Sequence, residues 1–263
     1  MSTVEETAVA TVRQLADSCA DVLRTALVSA ILHGSLTNLD FRPGTSDLDL
    51  LLVVEAGLSS GQRDGLVDAV RAADPGQAGG IDLLVVTRQT AERPGDHPAR
   101  ELMVGRWPGS GAELEVEGPD DQVPDVWPEL SEARANGRSL LGPAPRDVIG
   151  EVPADRVRAN GIGWLETWLT RTDDDTNAVL MVLTACRIWG FGLTGEHLSK
   201  TEAGRWALER DPSLVGVQLA LSARTTPSHL RIAARDVESV LLRALSDLEA
   251  THGGTSAMEP AGP

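Results

Sequence analysis

The strongest signal of the fold is the stretch His33-Gly-Ser-Leu-Thr-Asn-Leu-Asp-Phe-Arg-Pro-Gly-Thr-Ser-Asp-Leu-Asp-Leu-Leu-Leu-Val-Val54. It begins with a turn-rich segment and ends with a continuous apolar run after Asp49. Such a run, bounded by turn residues, is typical of a strand that is buried in a sheet. Residues 27–33 just before it form a shorter strand-like run that ends at Gly34-Ser35. The stretch therefore predicts two strands joined by a long turn.

The flanking sequence adds helices and a third strand to these two. Residues 3–27 carry apolar side chains at helical spacing, and residues 62–73 indicate a second helix. A Pro- and Gly-rich break at 75–80 precedes another apolar run at 81–87, which predicts the third strand. The order strand, strand, helix, strand is the nucleus of a sheet that is covered by helices.

The pattern changes near Gly150, which is the predicted domain boundary. Residues 88–150 give mixed signals, with one strand predicted at 113–117 and one helix at 128–139. Beyond Pro153 only helical patterns follow, at 154–170, 176–190, 201–209, 214–222 and 228–250. We therefore predict an α+β protein with a mixed-sheet domain over 1–150 and an all-α helical domain over 151–250. The Gly-, Thr-, Ser- and Pro-rich residues 251–263 are predicted to be a disordered tail.

Charge and composition exclude several classes of function. The chain has 263 residues and a formal net charge of -16, which is the wrong sign for binding nucleic acid or an anionic membrane surface. Its two cysteines, Cys19 and Cys186, lie far apart without metal-ligand spacing. No run of 18 or more apolar residues and no apolar leader is present. We expect a cytoplasmic protein without a disulfide scaffold.

Three aspartates carry the chemistry that the sequence suggests. On a strand, residues i and i+2 point to the same face about 6 to 7 Å apart, so Asp47 and Asp49 can share a cation. Mg²⁺ suits such a carboxylate pair because it prefers oxygen ligands and also binds substrate phosphates. Asp82, in the third strand, would complete a site for two metal ions that clamp an in-line displacement. Gly34, Ser35 and Ser46 offer close backbone approach and donors to a phosphate.

Each of these features also has a plainer interpretation. A lone Asp-x-Asp is more often a solvated turn, and Gly-Ser is nearly always a turn. Asp82 lies inside an apolar run, where a buried carboxylate without a partner costs several kcal/mol, so it requires a ligand, a metal or an edge position. The three features together, in this order, favour the catalytic interpretation.

The same residues resemble the signature of the nucleotidyltransferase superfamily, which includes DNA polymerase β and the antibiotic nucleotidyltransferases. Within it, the chain resembles the aminoglycoside adenylyltransferases that modify streptomycin and spectinomycin. The resemblance runs from about residue 27 to 248 and includes the helical domain. Its motifs are His33-Gly-Ser-Leu, Ser46-Asp-Leu-Asp-Leu-Leu, Asn177-Ala-Val-Leu, Thr184-Ala-Cys-Arg-Ile-Trp189, Leu193-Thr-Gly195, Lys200 and Arg205-Trp-Ala-Leu-Glu-Arg210.

The resemblance implies a role for each matching donor-side residue. Asp47 and Asp49 would bind the two Mg²⁺ ions of Mg-ATP, and Asp82 would bind metal and act as general base on the drug hydroxyl. Streptomycin-modifying relatives usually carry Glu at that position, so the reach of the shorter Asp82 to the acceptor is an open point. Gly34, Ser35, Ser46, Arg187 and Lys200 are the implied ATP-binding residues. Lys200 is the only lysine of the chain, which by itself suggests a compact ammonium at a phosphate, with a chance surface lysine as the alternative. Without the resemblance, Arg187 would be a structural helix residue.

On the acceptor side, the resemblance implies Trp107 and Asp174. Trp107 matches a drug-stacking Trp, and its plainer interpretation is a buried core residue. Asp174 belongs to a run of three aspartates that would attract a cationic drug, and such a run is usually a helix cap and a solvated face. Whether the drug is streptomycin, spectinomycin or both stays open, because the loop before Asp174 is shorter than in streptomycin-modifying relatives.

The resemblance thus predicts an ATP-dependent O-adenylyltransferase that confers resistance to an aminocyclitol antibiotic and works as a monomer. ATP and drug are expected in a cleft between the two domains. Two alternatives remain at this point. One is a nucleotidyltransferase for another hydroxylated acceptor, and the other is a non-catalytic nucleotide-binding regulatory module.

Overall fold

The computed structural model describes residues 3–95, 98–107, 113–119, 126–225 and 231–253. The chain divides into two compact units, Met1–Pro153 and Ala154–Pro263, called unit 1 and unit 2 below. The sequence placed this division near residue 150. Residues 251–253 of the predicted disordered tail belong instead to the helix Ala234–Gly253, and the rest of that tail lies outside the described residues. No helix in the described part of the chain is long and apolar enough to cross a membrane.

Unit 1 is built on a mixed sheet, which confirms the predicted α+β class. The described strands follow the order β5-β4-β3-β2-β1-β6 across the sheet. Strands β2 and β3 run parallel, whereas the neighbouring pairs β1/β2, β3/β4, β4/β5 and β1/β6 are antiparallel. Their bounds are β1 Leu27–Leu32, β2 Asp47–Val54, β3 Gly80–Thr87, β4 Leu102–Arg106, β5 Glu115–Glu117 and β6 Arg138–Leu141.

Helices cover both faces of this sheet and define two apolar clusters. The larger cluster joins Leu50 and Leu83 to helices α1 (Thr3–Leu23) and α2 (Ser60–Ala72). The smaller cluster, on the opposite face, joins Leu51 and Leu84 to α3 (Arg88–Glu92), α4 (Val126–Asn136) and α5 (Pro145–Val148). Because side chains alternate along a strand, the odd positions of β2 and the even positions of β3 lie on the face of the smaller cluster.

All regular secondary structure in the described residues of unit 2 is helical. Helix α7 contributes the largest buried side chain, Trp189, to a core that every other helix of the unit joins. The helices are α6 Ala154–Leu169, α7 Ala178–Thr194, α8 Lys200–Arg210, α9 Val215–Thr225 and α10 Ala234–Gly253. Ser199 begins α8 with a capping box, since its hydroxyl accepts from the backbone N–H of Glu202 at 3.2 Å.

Some boundaries differ from the predictions for physical reasons. The predicted helix 128–139 ends at Asn136, because residues Arg138–Leu141 pair with β1 instead. Strand β4 and the short helices α3 and α5 had no clear sequence signal. Residues 231–233 of the predicted helix 228–250 are not helical, and residues 226–230 lie outside the described residues.

Candidate active site

The register of β2 and β3 places the three candidate aspartates on one face of the sheet. Asp49 is the direct partner of Asp82 in the parallel ladder, and Asp47 is the partner of Gly80. Asp47 and Asp49 are two residues apart, so their side chains leave the strand on the same side. Leu48 and Ile81, by contrast, are fully buried on the opposite face. The aspartates therefore line the edge of the smaller apolar cluster.

Gly34 packs directly against the carboxylate of Asp49. Its φ of +69° lies in the left-handed region that favours glycine. A Cβ atom at this position would lie 2.0 Å from Oδ2 of Asp49, which is far inside van der Waals contact. The backbone N–H of the preceding His33 donates to the Asp49 carbonyl at 3.2 Å. The turn that ends β1 thus fits only when residue 34 has no side chain.

The electrostatic environment of Asp49 disfavours its charged form. Burial raises the pKa of Asp49 well above its ordinary value, and His33 partly opposes this shift. The negative charges of Asp82, Glu129 and Asp47 raise that pKa further. A group of carboxylates that repel one another around a half-buried side chain is an arrangement that a bound cation stabilises.

His33 and Glu129 extend this cluster, and sequence reasoning gave neither a role. Nδ1 of the buried His33 lies 3.5 Å from Oε2 of Glu129 on α4. A further contact joins the 33–46 loop to α4, where Nδ2 of Asn38 donates to Oε1 of Glu132 at 2.8 Å. His33 stood in the recognised motif, but nothing in the mixed signals around Glu129 indicated that its helix packs on this face.

The donor set fits Mg²⁺ bound together with a phosphate, rather than a closed protein cage. In the described parts of the chain, no group of three or more His, Cys, Asp or Glu side chains is arranged to hold a metal ion. Mg²⁺ is commonly held by one or two carboxylates together with substrate phosphates and water. Asp47 and Asp49 lie on one face of the sheet, and neighbouring carboxylates disfavour the charge of Asp49. This pair meets that requirement.

Two candidate phosphate donors lie in the loop between β1 and β2. The Ser35 hydroxyl is buried and has no hydrogen-bond partner within the described protein. The Ser46 hydroxyl accepts from the backbone N–H of Arg42 at 2.9 Å, and the Ser46 carbonyl accepts from the backbone N–H of Gly79 at 2.8 Å. Both serines precede Asp47 in the chain, and Ser35 offers an unused donor.

Trp107 lies beside the aspartates on the same face of the sheet. A Cβ on Gly105 would lie 1.9 Å from Cη2 of its ring, so the indole occupies the space that this glycine leaves open. A Cβ on Gly80 would lie 2.4 Å from Cδ1 of Trp107 and 2.8 Å from Oδ1 of Asp47. The ring and the Asp47 carboxylate thus border the same glycine. The alternative to a drug-stacking role was a buried core residue. The structure shows that Trp107 is half-buried.

The other acceptor candidate, Asp174, lies in unit 2 and forms the turn before α7. Its carboxylate accepts from Nδ2 of Asn177 at 2.7 Å and from the backbone N–H groups of Thr176 and Asn177 at 3.1 and 3.2 Å. These hydrogen bonds, led by the Asn177 side chain, lower the pKa of Asp174. Next to it, Asp175 pairs with Arg231 at 2.6 Å. Asp174 is therefore ionised and oriented by its own turn.

Arg187 and Lys200 come together at the corner between α7 and α8. Nε of Arg187 donates to the Leu198 carbonyl at 3.1 Å, and Lys200 is the first residue of α8. Sequence reasoning missed a third cation here, Arg224, whose Nε donates to Oγ1 of Thr201 at 3.2 Å.

Comparison with known proteins gives one consistent result. Residues 147–231 match the family model described as the C-terminal domain of aminoglycoside adenylyltransferases. An aminoglycoside (3'')(9) adenylyltransferase of Klebsiella pneumoniae is 29% identical over 196 residues, which are 73% of this chain and 74% of that one. A spectinomycin 9-adenylyltransferase of Staphylococcus aureus is 29% identical over 195 residues, 72% of this chain and 73% of that one.

A solved structure has the same fold. It is the crystal structure of spectinomycin adenyltransferase AAD(9) from Enterococcus faecialis with ATP and spectinomycin. The superposition covers 91% of this chain and 98% of that chain, with a TM-score of 0.72 and 19% sequence identity. At that identity, the match is evidence for the fold.

Proposed function

We propose that this chain, a homologue of the aminoglycoside (3'')(9) and spectinomycin 9-adenylyltransferases, is itself an ATP-dependent adenylyltransferase that modifies a hydroxyl group of spectinomycin or streptomycin. The adenylylated drug would bind its ribosomal target poorly, so the activity would confer resistance. With a net charge of -16, the protein favours cationic drugs over nucleic acid as partners. We further propose that it acts as a cytoplasmic monomer.

One observation carries this proposal above all others. The register that pairs Asp49 with Asp82, with Asp47 on the same face, supports a shared site for a nucleotide and its metal ions. Asp49 is repelled by both neighbouring aspartates, and its carboxylate occupies the space that the missing side chain of Gly34 leaves open. A protein that kept this sheet only as a scaffold would have no need for such an arrangement.

The reaction would be a single in-line displacement at the α-phosphorus of ATP. The acceptor hydroxyl oxygen forms a bond to that phosphorus while the bond to the leaving pyrophosphate breaks. Asp82 takes the proton of the hydroxyl group as general base. Because Asp has a shorter side chain than Glu, the acceptor must approach β3 closely, and Trp107 borders the neighbouring Gly80 on this face. Trp107 would therefore position the drug by stacking.

Asp47 and Asp49 would hold the two Mg²⁺ ions that accompany ATP, with Asp82 as a further ligand. When bound, the metal neutralises the charge that develops on the phosphate oxygens. Ser35 and Ser46 would donate to the triphosphate, and Gly34 would let the backbone come close to it. Before Mg-ATP binds, the repulsion around Asp49 opposes folding of this region. Binding would relieve that repulsion.

Unit 2 would supply the remaining ligands. We assign Arg187 and Lys200 to the triphosphate, where they would stabilise the leaving pyrophosphate, and their common corner at the start of α8 supports this role. We assign Asp174 to an amine of the drug, because its carboxylate is ionised and oriented by Asn177. The match of residues 147–231 to the family's C-terminal domain supports both assignments.

The direct test is incubation of the purified protein with ATP, Mg²⁺ and one drug at a time. We expect mass spectrometry to detect the adenylylated drug with spectinomycin, streptomycin or both, together with release of one pyrophosphate per drug. Kanamycin and lincomycin serve as comparison acceptors. Transfer to one of these alone would contradict the proposed substrate class. Tight ATP binding without transfer to any acceptor would favour the regulatory module.

A further inference from the structure

Two buried donors in the β1–β2 loop (residues 33–46) lack partners within the protein. The Ser35 hydroxyl and Nε of Arg42 are both shielded from solvent, and neither makes a hydrogen bond. Buried polar atoms in folded proteins almost always have a partner, and each exception requires an explanation. Two such donors within eight residues of chain indicate a ligand with acceptor atoms at this loop.

The loop is otherwise closed by its own hydrogen bonds. The backbone N–H of Asp40 donates to the Ser35 carbonyl at 3.0 Å. The backbone N–H of Arg42 donates to the Ser46 hydroxyl at 2.9 Å, and the backbone N–H of Ser46 returns a bond to the Arg42 carbonyl at 2.8 Å. Arg42 is thus fixed at its main chain to the serine that immediately precedes Asp47.

The side chain of Arg42 is only loosely tied to the protein. Its Nη2 lies 3.7 Å from Oδ1 of Asp40, which is an ion pair beyond hydrogen-bond length. Nε, the atom nearest the backbone, takes no part in that pair. A guanidinium that is anchored at its backbone and still has an unused donor is suited to bind an anion.

The Ser46 hydroxyl adds a third donor to this loop. Its oxygen accepts from the Arg42 N–H, and its own proton is not used in that bond, so it is available to another acceptor. Ser35, Arg42 and Ser46 therefore present donors from one short loop, beside the strand that carries Asp47 and Asp49. The ligand that matches several donors and one positive charge is an anion with many oxygens, such as a triphosphate.

We propose that Arg42 is a further ATP-binding residue, whose guanidinium donates through Nε to the triphosphate beside Ser35 and Ser46. This inference rests on the proposed function and adds a residue to its donor site. The other residues assigned to ATP in unit 1, namely Gly34, Ser35 and Ser46, are uncharged. Arg42 supplies positive charge to the triphosphate from the same unit that carries the aspartates, where it offsets the repulsion between phosphate and carboxylate.

The test compares steady-state kinetics of Arg42→Ala and Arg42→Lys with two control variants. Arg71→Ala removes another half-exposed arginine of unit 1, which pairs with Asp68. Asp40→Asn removes the negative partner of Arg42 and leaves the guanidinium in place. A hydrogen bond to a charged group changes binding by about 10-fold or more.

We expect Arg42→Ala to raise KM for ATP by about 10-fold or more, with KM for the drug unchanged within about 2-fold. Arg42→Lys keeps the charge but loses the Nε donor, so it should restore part of the loss. Both control variants should keep the wild-type KM for ATP. An unchanged KM in Arg42→Ala would overturn the proposal. An equal rise in Asp40→Asn would also overturn it, because Arg42 would then act by holding the loop.

Calorimetry with inorganic tripolyphosphate and Mg²⁺ separates this inference from the proposed function. If the wild type binds tripolyphosphate but transfers nothing to any drug, the proposed function fails. The role of Arg42 is then still tested by tripolyphosphate binding to the Arg42 variants. Weaker tripolyphosphate binding by Arg42→Lys supports the proposal, and equal binding refutes it. The lysine variant serves here if the alanine variant does not fold.

Discussion

The network around Asp247 in unit 2 and the aspartate site of unit 1 differ in how their polar side chains are paired. In unit 2, Asp247 accepts from Nε1 of Trp189 at 3.1 Å and also from Nη1 of Arg243. Nε of Arg243 in turn lies 3.5 Å from Oδ2 of Asp211, and its guanidinium lies over the Trp189 ring. In unit 1, burial and the charges of Asp82, Glu129 and Asp47 raise the pKa of Asp49, which His33 only partly opposes. The Ser35 hydroxyl there has no partner among the described residues.

This difference distinguishes groups that stabilise the fold from groups that need a ligand as their partner. A buried charge with partners in the protein stabilises its surroundings, and its removal leaves those partners unsatisfied. A buried group without such partners lowers stability until a ligand supplies them. Substitutions should therefore change activity at the aspartate site of unit 1 and stability in the Asp247 network of unit 2.

The largest effect is expected for Asp49→Asn. The variant loses a charge that would bind Mg²⁺, so kcat for adenylyl transfer should fall by about 1000-fold or more. Its melting temperature without divalent ions should rise by about 2 to 4 °C, because the repulsion disappears. Loss of both activity and stability would contradict the division between the two regions.

The same variant has a predictable pH dependence. The pKa of Asp49 is raised in the folded state, so the folded protein holds its proton more tightly than the unfolded chain does. Stability of the metal-free wild type should therefore fall as pH rises from the ordinary aspartate pKa through the raised value. Thermal melts of Asp49→Asn should lack this pH dependence. The difference in melting temperature between the variant and the wild type should therefore be larger at pH 7 than at pH 4.

Gly34→Ala should have the next largest effect on activity. Its Cβ would collide with the Asp49 carboxylate, so we expect kcat/KM to fall by about 100-fold or more. Gly44→Ala is the matched control, because Gly44 has a similar φ of +74° with nothing within 4 Å of an added Cβ. The control should lose about 1 to 2 kcal/mol of stability from left-handed strain and keep its activity. Equal activity loss in both variants would show that backbone strain alone is responsible.

The sequence predicted the centre of the site better than its surroundings. Strand β2 was predicted with its observed bounds, Asp47–Val54, because an apolar run following a polar pair is a strong local signal. The face shared by Asp47 and Asp49 follows from strand alternation alone, whereas Asp82 lies on it because of the register between β2 and β3. The pairing of β1 with β6 and the approach of Glu129 to His33 depend on contacts about 100 residues apart in the chain, which no local pattern encodes.

In unit 2, Asp247→Ala should reduce stability with little change in activity. The substitution leaves the Trp189 N–H and the Arg243 guanidinium without their acceptor, so we expect a loss of about 2 kcal/mol in the free energy of unfolding. Denaturant unfolding measures this value. Asp175→Ala is the control, since its pair with Arg231 is exposed and should contribute less than about 1 kcal/mol. A similar loss in both variants would argue against a special role for the Asp247 network.

The smallest effect is expected for Asp174→Asn. The amide keeps an oxygen for the turn before α7 but has no charge for a drug amine, so KM for the drug should rise by about 3- to 10-fold. KM for ATP should stay unchanged. Asp173→Asn tests a neighbouring charge in the same run and should have no effect on either constant. If the wild type, Asp174→Asn and Asp173→Asn all have the same KM for the drug, Asp174 serves only to form the turn.

The most direct test of the shared aspartate site is a crystal structure with ATP and Mn²⁺. The position of Mn²⁺ can be located by its anomalous scattering. We predict metal bonded to carboxylate oxygens of both Asp47 and Asp49 and to phosphate oxygens of ATP, with Asp82 facing the α-phosphorus. Metal bound away from this pair, or Asp82 turned from the nucleotide, would contradict the account.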